Sequence, residues 1–204
     1  MHASLPCRPA LFLDRDGVIN RDTGYVFRPR DFEFLPGIFQ SLRRWQVEGY
    51  RLVIVTNQSG IGRGLYRAQD FHELTEWMLA RFSAEGIRID GVYHCPHRPE
   101  EGCCCRKPQP GMLLKAAADL RLDLAGSWLF GDRLSDIEAA SSAGIRQTVL
   151  LRAEPAEPAQ ADVESEVESA AKPLYVRRDV SATLSLLPST EAKDCTPCLQ
   201  QRST

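Results

Sequence analysis

ALFLDRDGVIN, residues 10–20, joins a short apolar run to two carboxylates and a glycine. The run ALFLD (10–14) predicts a buried strand ending in Asp14. In an open parallel α/β sheet, ligands bind beyond the carboxyl ends of the strands, so Asp14 falls where chemistry is expected. Asp16, two residues on in an extended segment, points to the same side, and Gly17 permits a tight turn.

The pattern of apolar run followed by polar group recurs along the chain. RLVIV (51–55) is β-branched and reads as a buried parallel strand; Thr56, Asn57, Gln58, Ser59 and Gly60 follow it. IDGVYHC (89–95) leads through a cysteine-rich loop to Arg106-Lys107-Pro108. SWLF (127–130) precedes Gly131 and Asp132, with Asp136 one helical turn on, and RQTVLL (146–151) predicts a fifth strand. Between these runs lie helical stripes: Ile38, Leu42 and Trp45, stopped by Gly49; Phe71, Leu74, Met78 and Phe82, stopped by Gly86; Leu113, Leu114, Ala117 and Leu120; Ile137 and Ala140, stopped by Gly144. Trp45, Trp77 and Trp128 fall in these apolar patterns and are expected in the core.

Strand and helix alternating in this order predict right-handed crossovers, and so an α/β, Rossmann-like parallel sheet with helices on both faces. The short spans from Asp14 to Ile38 and from Ser59 to Lys107 leave no room for a large cap domain. LYVR (174–177) is expected to add an edge strand, with Ser181 capping a last short helix. Residues 1–187 are read as one domain with its motifs in 10–152, residues 153–172 as an acidic linker, and 188–204 as a disordered tail.

A length of 204 residues suits one domain. The formal net charge of -2 gives no support for a nucleic-acid or anionic-membrane partner. No apolar run approaches the roughly 18 residues that span a bilayer, and no secretory signal is evident at the N-terminus, so a cytoplasmic protein is expected; a monomer is taken as the starting expectation for its assembly. Four of the seven cysteines cluster between Cys95 and Cys105, which favours metal binding over a disulfide framework.

The strand ends gather three carboxylates, a hydroxyl with an amide, and a lysine. The carboxylates suit a hard dication, most simply Mg²⁺. Asp14 is placed to attack phosphorus and form an aspartyl phosphate. Asp16 can protonate the leaving oxygen and then deprotonate water. Thr56 and the backbone N–H groups of the TNQSG loop can bind phosphoryl oxygens, and Lys107 adds positive charge.

LFLDRDGVIN, VIVTNQSG, RKPQPGML and LFGDRLSD resemble, in order, the four motifs of the haloacid-dehalogenase-like hydrolases. Within that superfamily the chain is similar to the histidinol-phosphate/heptose-bisphosphate phosphatase group. The resemblance implies Asp14 as nucleophile and Asp16 as general acid/base. It implies Mg²⁺ held by Asp14, the Asp16 carbonyl and Asp132, with Asp136 behind them. It also implies substrate contacts from Asp22, Thr23, Gly24 and Tyr25, from the TNQS segment, and from Arg106 and Arg133.

Cys95-x-His97 and Cys103-x-Cys105 have a spacing that suits a tetrahedral Zn²⁺ with no open position, a structural staple that would place Arg106 and Lys107. Cys104 could replace a neighbouring cysteine and His94 could replace His97; the resemblance favours Cys103, Cys105 and His97. Cys7 reads as an incidental thiol and Cys195/Cys198 as two thiols of the tail, with a second metal site or a redox pair as the alternative. The substrate expected from the resemblance is a small phosphorylated sugar, heptose 1,7-bisphosphate cleaved at the 7-phosphate, a step of lipopolysaccharide-core metabolism. Histidinol phosphate is the alternative substrate, and a catalytically silent zinc scaffold the non-enzyme alternative. Ser59 and GIGRG favour the heptose branch, because histidinol-phosphate relatives tend to carry an acidic residue at the Ser59 position. Arg133 cuts the other way, since heptose enzymes often have lysine there.

Overall fold

The computed structural model describes residues 7–152, 174–177 and 179–187. The expectations for 153–172, for 188–204 and for Cys195 and Cys198 lie outside the described residues. In chain order the elements are β1 (Arg8–Leu13), α1 (Ile38–Val47), β2 (Arg51–Asn57), α2 (Ser59–Gly62), α3 (Ala68–Ala84), β3 (Gly91–Cys95), α4 (Gly111–Leu120), β4 (Leu122–Gly131), α5 (Leu134–Ala143), β5 (Gln147–Leu151) and β6 (Tyr175–Arg177).

The six strands form one sheet in the order β3-β2-β1-β4-β5-β6, with every adjacent pair parallel. The winding runs outward from β1 through β2 to β3, then returns to the other side of β1 for β4, β5 and β6. That reversal makes β1 the switch point where such sheets bind ligands. Leu13 pairs with both Ile54 and Phe130, so β1 and β4 end almost level while β2 runs on to Asn57 beside them.

Side chains of β1 alternate between two cores. Leu11 and Leu13 pack with Ile38, Leu42 and Trp45 of α1 and Leu74, Met78 and Phe82 of α3. Ala10 and Phe12 pack with Met112, Leu113 and Ala116 of α4 and Ile137 and Ala140 of α5. Helices therefore cover both faces, and the apolar strands read as continuous runs because neither face meets water. Trp45 lies edge-on to Trp128 and Phe130. Trp77 is partly buried at the margin of the same core. No helix among the described residues is long and apolar enough to cross a membrane.

Three local expectations are corrected. β4 begins at Leu122 rather than 127, because its start pairs with Arg8 and Pro9 and then shifts register before Leu11. Ser127 bridges that irregularity, accepting from the Ala10 N–H at 2.8 Å. On α4 the buried stripe is Met112, Leu113 and Ala116, and Leu114 faces solvent. The last helix is a 3-10 turn, Ser181–Leu186, with Val180 rather than Ser181 at its N-cap, and the carboxylate of the preceding Asp179 accepts the Ala182 N–H at 2.9 Å.

In place of a cap, residues 14–37 fold into a small flap. Arg21 N–H donates to the Glu33 carbonyl and Leu35 N–H to the Ile19 carbonyl, both at 2.9 Å.

Candidate active site

A cleft of about 330 Å³ opens beyond the ends of β1, β2 and β4. Asp14 follows β1 directly, and its backbone N–H donates to the Phe130 carbonyl at 3.0 Å, which ties the residue to β4. Lys107, 4 % exposed, reaches the cleft floor from the loop before α4. Its Nζ lies 2.8 Å from Asp14 Oδ1, 2.6 Å from Asp136 Oδ1 and 2.8 Å from the Val55 carbonyl. These contacts use all three ammonium hydrogens.

Asp14, Asp132 and Asp136 bring carboxylate oxygens within 4.8 Å of one another. Asp136 also accepts the Arg133 N–H at 3.1 Å, closing the first turn of α5. Gly17 has φ +84°, and a Cβ there would collide with the Asp132 carboxylate. The glycine therefore serves both the turn and the close approach of β4 to the flap.

Crowding of like charge away from water shifts these groups. Burial pushes the Asp14 carboxyl up, with Asp136 adding to the effect and Lys107 opposing it. Burial and the neighbouring Asp14 and Asp136 push Asp132 up to about 7. Burial opposes the charge on Lys107, but Asp136 and Asp14 outweigh it and hold the ammonium above its usual range.

Asp16 sits beside this group in a separate network. Arg15 Nε and NH2 donate to its carboxylate at 3.1 and 2.9 Å, Asn20 Nδ2 at 3.0 Å and Gln58 Nε2 at 3.0 Å. Gln58 also donates to Thr56 Oγ1 at 2.9 Å and accepts from the Tyr66 hydroxyl at 2.5 Å. Arg15 is 1 % exposed. The Asn57 side chain pairs with the backbone of Lys107, and Ser59 lines the cleft.

The mouth is framed by Asp22, Gly24, Tyr25, Arg106 and Arg133. Arg133 NH2 lies 3.1 Å from Asp22 Oδ2, linking the flap to the β4–α5 turn. Thr23 is exposed and lies outside the lining.

The loop after β3 gathers Cys95, His97, Cys103 and Cys105 within 4.8 Å. The Cys105–Cys95 sulfur separation is 3.2 Å and the Cys95–Cys103 separation 3.5 Å. Ligands around a tetrahedral Zn²⁺ with bonds of about 2.3 Å stand ~3.8 Å apart, so the four atoms are close to a closed zinc arrangement. Cys104 is exposed, and His94 packs against Phe71. Cys7 is an exposed free thiol.

A family profile described as Polynucleotide kinase 3 phosphatase matches residues 11–135, and one described as HAD-hydrolase-like matches residues 104–182. The chain is 47 % identical over 151 residues to the D-glycero-beta-D-manno-heptose-1,7-bisphosphate 7-phosphatase of Photorhabdus laumondii; the match spans 71 % of this chain and 80 % of the relative. The chain belongs to the haloacid-dehalogenase-like hydrolases. Another relative within this superfamily, the alpha-named 7-phosphatase of Burkholderia mallei, is 52 % identical over 149 residues, covering 70 % of this chain and 79 % of that one. The crystal structure of a D,D-heptose 1,7-bisphosphate phosphatase from B. bronchiseptica, complexed with magnesium and phosphate, superposes with a TM-score of 0.74 at 32 % identity. That match covers 87 % of this chain and 97 % of that one.

Haloacid-dehalogenase-like phosphatases use Mg²⁺, and the acidic group of this chain fits such an ion. Asp132 Oδ1 is buried with no hydrogen-bond partner, and three carboxylates crowd around the Lys107 ammonium with the Arg133 guanidinium 3.8 Å from Asp132, an excess of negative charge that a dication offsets. Sequence reasoning missed Arg15, Tyr66 and Ser135, which border or support this haloacid-dehalogenase-like site. Arg15 reads as a solvated charge between two carboxylates, and nothing local marks it as buried.

Proposed function

We propose that this chain removes the 7-phosphate of D-glycero-D-manno-heptose 1,7-bisphosphate, acting as a Mg²⁺-dependent phosphatase through an aspartyl phosphate. The observation that carries the reading is the Lys107 ammonium bridging Asp14 and Asp136 on the floor of a polar cleft. That arrangement pairs a carboxylate nucleophile with fixed positive charge at the point where phosphoryl charge develops. The names of the relatives support the choice of substrate.

In the first step an Asp14 oxygen bonds to phosphorus as the bond to the sugar oxygen breaks, and Asp16 gives that oxygen a proton. In the second step Asp16 takes a proton from water, the water oxygen bonds to phosphorus, and the bond to Asp14 breaks. Inorganic phosphate leaves and both carboxyl groups return to their starting states. Thr56, 1 % exposed, has its hydroxyl oxygen occupied by Gln58 and a hydrogen free to donate to a phosphoryl oxygen. Asp14, Asp132 and the Asp16 carbonyl would hold Mg²⁺, which when bound offsets the repulsion between the attacking carboxylate and the phosphate.

Arg106 and Arg133, at the mouth, are suited to the substrate's distal anionic and polar groups, with Asp22, Gly24 and Tyr25 as the facing wall. Cys95, His97, Cys103 and Cys105 would hold a structural Zn²⁺ that pins the loop running into Arg106 and Lys107.

The test compares kcat/KM with Mg²⁺ for both anomers of heptose 1,7-bisphosphate and for histidinol phosphate, with Asp14→Asn as the blank. A preference of at least 100-fold for one heptose anomer, about 2.7 kcal/mol of differential transition-state binding, is expected. Turnover that survives Asp14→Asn would sink the mechanism, and a preference for histidinol phosphate would sink the substrate.

A further inference from the structure

Asn57 stands in the cleft lining, yet its side chain is turned to the protein. Its Nδ2 donates to the Lys107 carbonyl and its Oδ1 accepts the Lys107 N–H, both at 3.1 Å. One planar amide thus meets both polar groups of one residue, as a neighbouring strand would. β2 then holds Lys107 twice: the amide of Asn57 takes the backbone, and the carbonyl of Val55 takes the ammonium at 2.8 Å.

We propose that Asn57 is a positioning residue for the phosphoryl-transfer step, fixing the Lys107 backbone so that its ammonium bridges Asp14 and Asp136. The inference rests on the phosphatase reading above. A lysine side chain turns about four bonds, so the position of its charge is set only if its backbone is anchored and its ammonium hydrogens are all engaged. Lys107 comes from an irregular segment, since β3 ends at Cys95 and α4 begins at Gly111. Between those limits the thiol cluster anchors the start of the loop, and the Gly111 N–H, bonded to the Cys104 carbonyl at 3.1 Å, closes its end. Pro108 disfavours a helical backbone at Lys107 and supplies no N–H of its own. The Asn57 pair therefore ties the lysine itself to the sheet.

Asparagine suits the task because it carries a donor and an acceptor on one short group. Aspartate lacks the donor and sets an oxygen against the Lys107 carbonyl. Serine keeps a single bond. Glutamine, one carbon longer, would push the loop away from β2.

The experiment is a double-mutant cycle on the full chain with Mg²⁺ and heptose 1,7-bisphosphate: Asn57→Ala and Lys107→Ala, singly and together, with the enzyme at high concentration so that slow turnover is read. Asn57→Ala is expected to lower kcat by at least about tenfold, the scale of one or two lost hydrogen bonds. In the Lys107→Ala background the same substitution is expected to change kcat by less than about threefold. Inhibition by vanadate, which copies the five-coordinate phosphorus, should weaken in parallel with kcat, while inhibition by inorganic phosphate weakens less.

An unchanged kcat, or the same loss with and without Lys107, would overturn the inference. If Asn57→Ala is unfolded at the assay temperature, Asn57→Ser takes its place, with a smaller loss and the same dependence on Lys107 expected. If the wild-type protein turns over no phosphate ester, the phosphatase reading fails by itself. The clamp is then read by hydrogen exchange of the Lys107 amide, expected to speed up about tenfold or more in Asn57→Ala, and equal rates would overturn it.

Discussion

Asp136 Oδ1 lies 2.6 Å from Nζ of Lys107, and both side chains are almost wholly buried. The pair joins α5 to the loop before α4 beneath the cleft. Removing Asp136 breaks a buried charge-assisted hydrogen bond, leaves the ammonium with Asp14 and the Val55 carbonyl, and takes the acceptor from the Arg133 N–H, which together cost more than an exposed ion pair. Asp136→Ala is therefore expected to destabilise the protein by about 3 kcal/mol, the sum of a charge-assisted hydrogen bond and a helix-start acceptor. Urea unfolding of the variant beside wild type measures it, and a loss under ~1 kcal/mol, the range of exposed pairs, would contradict it.

Gly17 gives a sharper test of how closely the flap approaches β4. A Cβ at this position collides with the Asp132 carboxylate, and the φ of +84° adds backbone strain for any other residue. Gly17→Ala is expected to cut kcat/KM at least about 100-fold, because Asp132 must move from the acidic group. A variant with wild-type turnover and wild-type Mg²⁺ dependence would show that the contact is relieved at no functional expense.

The acidic group also sets a pH dependence. In metal-free protein Asp132 titrates near 7, raised by burial and by Asp14 and Asp136. Below that pH the carboxyl is protonated, and a cation must displace the proton; above it the carboxylate is free. The Mg²⁺ concentration for half-maximal activity is thus expected to be flat above about pH 7.5 and to rise up to tenfold per unit as pH falls below 7. The same shift has the opposite sense for metal-free stability. The unfolded carboxyl ionises near 4 and the folded one near 7, so stability from this group falls between those values and is constant above. Mg²⁺ titrations from pH 5.5 to 8.5 and metal-free melts over that range read both effects. A half-saturation value that does not change with pH would refute the first.

The thiol cluster should couple to the floor of the cleft through the chain that joins Cys105 to Lys107. Cys105→Ser, or stripping zinc with a thiol-compatible chelator, is expected to lower the melting temperature and reduce kcat, with Asp14→Asn still the zero-activity reference. Metal analysis of the purified protein should give one Zn²⁺ per chain that is lost in the variant. Unchanged melting and turnover in fully zinc-free protein would separate the loop from the site.

The order of elements and the residues at the strand ends could be read directly because parallel strands buried on both faces are continuous apolar runs, and the residue after each run is placed by the backbone alone. ALFL before Asp14 and RLVIV before Thr56 are such cases. β4 was harder: its opening residues alternate between buried and exposed, and they belong to the sheet only through Arg8 and Pro9 of β1. Leu114 faces solvent although it belongs to the apolar stripe of α4, because such a stripe does not tell which of its edges turns to the core.

Local pattern thus determined the strand ends, and with them Asp14, Thr56 and Lys107 as neighbours in one cleft with Asp132 beside Asp14. It left open the choices that depend on residues distant in the chain. The folded chain turns His97 toward Cys95 and Cys105 and packs His94 on Phe71, a ring from α3 that no spacing in the cysteine loop could reveal. Arg15 is buried because the flap closes over it and the Val26 carbonyl accepts one of its hydrogens. The Asn57 amide meets the Lys107 backbone because β2 and the loop before α4 come together at that point, and the direction of a side chain follows from what packs around it.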